Sequence, residues 1–99
     1  MDTDEQVLAL RNKYLEEVEK VYDSGLQMKL MSVMAFNKSQ YEQSLKSIEV
    51  ISSIIEGTVS DRNPKRLLRY IVMLRKVIEQ LVTEIDKDYK RLWDNRLTQ

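Results

Sequence analysis

The sequence predicts an all-α protein: an antiparallel three-helix bundle with long second and third helices, completed by dimerisation or by a partner helix. Three observations predict it. The 99 residues include only two glycines and one proline, too few for an all-β fold with a turn signal about every 8–12 residues. Apolar residues make up 42% of the chain and recur at helical spacing, which argues against disorder. The punctuation is concentrated in "DSG" at 23–25 and "EGTVSDRNP" at 56–64. This length suits one domain, residues 1–99. Its core is marginal unless it packs well or a partner adds area.

Helix 1 is expected over about 3–24. "TDEQ" places Thr3 at an N-cap and Gln6 three residues on, a capping box with acids in the first turn. Val7, Leu8, Tyr14, Leu15, Val18, Val21 and Tyr22 then share a stripe at 100° per residue. Continued past Gly25, that phase puts Lys29 and Ser32 on the stripe and loses Leu30, Met31 and Met34. The helix is therefore expected to stop near "DSG", with Gly25 as the C-terminal signal. A new stripe of Leu26, Leu30, Val33, Tyr41, Leu45, Ile48, Ile51 and Ile55 predicts helix 2 over about 26–57. A rival reading takes "SQYE" at 39–42 as a capping box, so that helix 1 runs to Phe36 and helix 2 starts at Ser39. Asn63 as cap and Pro64 at the first helical position open helix 3, expected over about 64–97.

Short connections make neighbouring helices antiparallel. If helix 1 ends at Gly25 it is too short to reach the junction of helices 2 and 3. About ten residues of each long helix then overhang, around "IEVISSIIEG" and "PKRLLRYIVM". An apolar tip left bare calls for a second copy or a partner. The expectation weakens if helix 1 extends to Phe36.

The chain has no cysteine and no histidine. This removes thiolate and imidazole metal ligands and the commonest nucleophiles and general bases. No Gly-rich phosphate loop or EF-hand pattern occurs. Glu16, Glu17, Glu19, Asp86 and Asp88 stand in strongly charged stretches and read as solvated helix faces. No catalytic residue, cofactor or metal is expected. "NKS" at 37–39 matches a glycosylation acceptor, a tripeptide common by chance. The acidic start "MDTDEQ" has no signal-peptide character, and no apolar run is long enough for a membrane span. The expected setting is intracellular, soluble and cytoplasmic.

Charge is uneven. Residues 1–60 carry six Lys/Arg and ten Asp/Glu, and residues 61–99 carry ten and six. No acid occurs among residues 62–78, where Lys65, Arg66, Arg69, Arg75 and Lys76 cluster. Cations at a helix N-terminus oppose the macrodipole. They are expected to be offset by Glu49 and Glu56 across the hairpin, and by Asp2, Asp4 and Glu5 near Arg75 and Lys76.

The segment "GLQMKLMSVMAF" at 25–36 is apolar nearly all round. Leu26, Leu30 and Val33 lie on the core stripe and Met34 at its edge, while Met28, Met31 and Phe36 rotate away from it. They serve either as gap-filling core or as an adaptable docking surface. Trp93 and Tyr89 are expected at the same end of the bundle. The functional expectation is a non-enzymatic adaptor, chaperone or assembly subunit with coiled-coil character, binding partner helices or a second copy. Its expected partner-binding residues are Met28, Met31, Met34, Phe36, Ile54, Ile55, Lys65, Arg66, Arg69 and Trp93. The alternative is a nucleic-acid-associated regulator using the basic start of helix 3.

Overall fold

The computed structural model describes the backbone of residues 3–98 and the side chains through residue 95. It contains four helices and, among these residues, no strand: α1 (Thr3–Tyr22), α2 (Ser24–Val33), α3 (Lys38–Ser60) and α4 (Pro64–Thr98). The expected helix 2 is thus corrected. It is broken at 34–37 into α2 and α3.

Both stretches that compete in the sequence as the break are breaks, and they differ in kind. At the first the chain keeps its direction. Asp4 of α1 pairs with Arg62, just ahead of α4, at 3.3 Å. Farther along, Glu17 accepts from Arg75 Nε at 3.2 Å, and Lys29 of α2 donates to Asp86 at 3.2 Å. Partners that climb together show that α1 and then α2 run parallel to α4. The reversal comes at 34–37. Asn37 and Tyr41, at the start of α3, meet Glu84 and Asp88 of α4, and α3 returns antiparallel to the turn before Pro64.

The overhang expected where α3 and α4 join is therefore absent, because α1 lies alongside that end. Ile55, Leu67 and Ile71 there are buried. The unmatched length lies at the opposite end. With 35 residues, α4 is about 52 Å long, against about 35 Å for α3, so its last turns extend past the α2–α3 reversal.

Asp23 makes the first break. Its backbone is extended (φ −57°, ψ 130°), and its carboxylate accepts from the N–H of Leu26 as the N-cap of α2. Gln27 closes the other side, donating its side-chain amide to the Val21 carbonyl at 2.6 Å. Gly25 is not the stop that the sequence suggests. It lies in the first turn of α2 without a positive φ. A Cβ on it would come within 3.1 Å of Asp23 Oδ2, so the glycine leaves room for the cap.

The second break shows no "SQYE" capping box. The N-cap of α3 is Asn37, whose side chain makes no cap bond and instead reaches across to α4. The α4 start is as the sequence indicates: Pro64 is its first residue, and Asn63 Oδ1 accepts from the Arg66 N–H at 3.2 Å. Arg62 just ahead has φ 56°, a left-handed conformation that costs a non-glycine residue about 1–2 kcal/mol.

The core is a seam. Buried α4 positions Leu67, Ile71, Leu74, Ile78, Leu81, Ile85 and Asp88 alternate steps of four and three. Tyr41, Ile48, Ile51, Ile55 and Thr58 do the same along α3 with Ser44 half-buried between, and Val7, Tyr14, Glu17 and Val21 along α1 with half-buried Leu10. Such seven-residue repeats are the coiled-coil pattern, apolar residues facing a partner helix at every turn. No helix among the described residues is long and apolar enough to cross a membrane.

Candidate functional site

The residues expected to bind a partner divide by where the helices put them. Ile55 is 0% exposed, on the seam of α3, and drops out of any surface of the folded chain. Met34 is half-buried and packs against the core. Ile54 is on the outer flank of α3, partly exposed. Lys65, Arg66 and Arg69 are exposed on the first turns of α4, and the Arg66 guanidinium sits over the Tyr70 ring at 6.0 Å. They are far from the methionines, which lie level with Asp86 through the Lys29 contact. The expected set is therefore at least two surfaces.

The methionine question is answered by position. Met28 is 71% exposed and Met31 81% exposed, while Leu26, Leu30 and Val33 on the other face of α2 are buried. They are not gap-filling core. Phe36 is partly exposed in the reversal that follows. At the same end Lys29 sits over the Tyr89 ring at 5.6 Å, and Tyr89 meets half-exposed Trp93 edge-to-face at 6.3 Å. Tyr89 and Trp93 thus do lie beside α2.

The expected offset of the basic start of α4 is only partly met, by other partners. Arg62 pairs with Asp4, and Arg75 with Glu17. Glu49 lies near Lys46 of its own helix, at 3.8 Å. Asp2 lies outside the described residues. Among the described residues, no acid is within ion-pair distance of Lys65, Arg66, Arg69 or Lys76.

Two of the acids expected on solvated faces are buried instead. Glu17 is 4% exposed and is neutralised from both sides: Lys20 Nζ donates to both its oxygens at 3.0 Å and Arg75 Nε to one. Asp88 is 1% exposed. Its Oδ2 accepts from the Tyr41 hydroxyl at 2.6 Å and from the Asn37 amide at 2.9 Å, and Arg91 stands 3.9 Å from its Oδ1. Burial, then the Asp88 carboxylate, push the Tyr41 hydroxyl well above its ordinary pKa of 10.0. The "NKS" asparagine thus has its amide committed inward. The signal for both acids is in the sequence: position 17 lies seven after Leu10 and position 88 seven after Leu81, so both acids occupy seam positions.

Among the described residues no three His, Cys, Asp or Glu side chains gather as a metal ion needs. Two clefts lie along the face between α1 and α4. One of about 400 Å³ is lined by Ala9, Leu10, Lys13, Pro64, Lys65 and Leu68, among others. Farther along the same α1–α4 face, another of about 600 Å³ is lined by Glu16, Glu19, Asp23, Leu26, Val82 and Asp86, among others. Compared with protein-family models, curated proteins and solved structures, the chain matches none.

Proposed function

We propose that the chain is a non-enzymatic protein–protein interaction module, an adaptor, chaperone or assembly subunit that takes partner helices on exposed apolar strips. In this reading α1 and α2 act together as one leg of an antiparallel three-leg bundle that a partner helix or a second copy completes. The supporting observation is the outward methionine pair on α2. Two long thioethers held in water on a helix whose other face is buried are an adaptable surface. They bend to fit apolar partners with little ordering cost and no fixed shape.

The test is local. Met28→Glu with Met31→Glu leaves thermal stability within about 0.5 kcal/mol, since exposed substitutions disturb no packing. A photo-cross-linker at position 31 captures a protein partner in native extract, and Met28→Glu abolishes the capture. A folded chain that cross-links nothing from position 31 overturns the reading.

A second reading has its own observation: Lys65, Arg66, Arg69 and Lys76 have no acid partner among the described residues. A basic helix start of this kind suits phosphate contacts of a nucleic-acid-associated regulator. Retention on DNA or RNA that weakens with salt, and is lost in Arg69→Glu, supports it. No retention at low salt removes it.

A further inference from the structure

We infer that the groove between α3 and α4, on the side turned away from α1, takes an acidic amphipathic helix of a partner protein. The inference rests on the interaction-module reading and names the chemistry of one partner, at a surface distinct from the methionines. Its basis is an apolar groove bordered by cations that the fold leaves without acids.

α1 approaches α3 from one flank, where Tyr14 and Val18 share a cleft with Leu45, Glu49 and Ser52. On the opposite flank of α3, Ser47, Val50, Ile54 and Gly57 recur at steps of three and four, a second stripe beside the buried seam. Val50 is 47% and Ile54 37% exposed, and a Cβ on Gly57 would meet nothing within 4 Å. Across from them α4 carries Tyr70, Met73 and Val77, on the flank opposite Leu68 and α1. Met73 is 44% exposed, and the other two are half-buried. The contact of Tyr41 with Glu84 and the turn before Pro64 fix the register. Ile54 then stands level with Tyr70 and Met73, and Val50 with Met73 and Val77. Farther along, the same groove becomes polar, lined by Gln40, Ser44, Gln80 and Glu84 among others.

Arg66, Arg69 and Lys76 stand along the α4 border of the apolar stretch. From Arg66 to Lys76 is about 15 Å, the same length as from Ser47 to Gly57. None of the three has an acid within ion-pair distance among the described residues. Glu49 and Glu56 are close in sequence but lie on the other flank of α3: Glu49 lines the cleft with α1, and Glu56 faces the Tyr14 hydroxyl. Asp61, in the turn, borders the groove at its end. A helix laid in the groove removes Val50, Ile54 and Met73 from water, and acids along its α4 edge meet the three cations. Phosphates of a nucleic acid match the cations but leave the apolar stripe in water, so the stripe favours a helix.

The probe is a synthetic heptad peptide with leucine and isoleucine at the seam positions and glutamate on both flanks, whose self-repulsion keeps it unpaired alone. A matched peptide with lysine for glutamate is the control. Titrated with the full chain, the glutamate peptide is expected to bind with a gain of helical circular dichroism, more weakly as salt rises, and the lysine peptide is not. Ile54→Glu puts a charge in the floor of the groove. Arg69→Glu with Lys76→Glu reverses its border at two exposed positions, and a thermal melt checks that each variant folds. Each is expected to bind the glutamate peptide about a hundredfold more weakly, and the border variant to take the lysine peptide instead. A parent chain that ignores the glutamate peptide, or an Ile54→Glu chain that binds it as the parent does, overturns the inference. So does a groove that takes a DNA duplex in place of the peptide, with Ile54→Glu without effect, or a parent chain that dimerises in place of binding it and is made monomeric by Ile54→Glu. The Met28–Met31 reading is measured by cross-linking from position 31 and stands or falls separately.

Discussion

Asp88 stands where the α4 seam asks for an apolar side chain, and its charge is held rather than solvated. Tyr41 and Asn37 donate to one oxygen, and Arg91 stands beside the other. Because the donors come from the start of α3, the contact fixes where the reversed chain meets α4. Removing one partner leaves a buried charge under-satisfied, the costly way to break such a contact. Tyr41→Phe is expected to lower stability by about 2 kcal/mol, read from urea unfolding. The same hydroxyl gives a pH signature. Folded Tyr41 holds its proton above the ordinary value of 10.0, while unfolded tyrosine loses it there. The unfolded state then binds fewer protons, so stability is full below pH 10 and declines as pH rises beyond it. The slope is about 1.4 kcal/mol per pH unit for such a group. Tyr14, raised chiefly by burial, adds in the same direction. Every other group is common to both chains, so the difference between parent and Tyr41→Phe isolates Tyr41. Equal alkaline slopes would remove this account.

At the scale of the element, the jog at Asp23 decides which face of α2 is buried. Val7, Tyr14 and Val21 recur at seven, and the next member of that series is Met28. An uninterrupted helix therefore keeps Met28 on the inner side. The Asp23 cap restarts the helix in another phase, so Leu26, Leu30 and Val33 go in and Met28 and Met31 come out. Asp23→Ala is expected to cost about 1 kcal/mol through loss of the cap. Asp23→Ser is expected to restore most of it, because a hydroxyl caps as well as a carboxylate does. Thermal melts of the two variants compare them, and a serine variant as unstable as the alanine one would show that the cap is not what holds the jog.

The whole molecule is long and thin, 60 × 22 × 16 Å, with a radius of gyration of 16.3 Å against about 13 Å for a compact chain of this length. So slender a body keeps much of its apolar surface near water, and this is why side chains such as Leu68 and Val72 stay partly exposed.

Much of the fold was legible in the sequence because it is local. Helix class, the absence of strands among the described residues, the α4 start at Asn63–Pro64 and most of the buried apolar residues follow from spacing and capping chemistry within a few turns. The exposure of Met28 and Met31 was legible as an alternative, since the α2 wheel turns them off the core stripe. The direction of the chain at each break was not. "DSG" and "SVMAFNKS" are both credible turns, and nothing local says that the first continues and the second reverses. That is settled by whether Asn37 and Tyr41 find Asp88, a contact between residues about fifty positions apart. The same long-range choice brings α1 beside the start of α4 and covers the end expected to be bare. Periodicity assigns a residue to a face of its own helix. Which helix that face meets, and whether a charge there is solvated or buried, is fixed only when the helices pack.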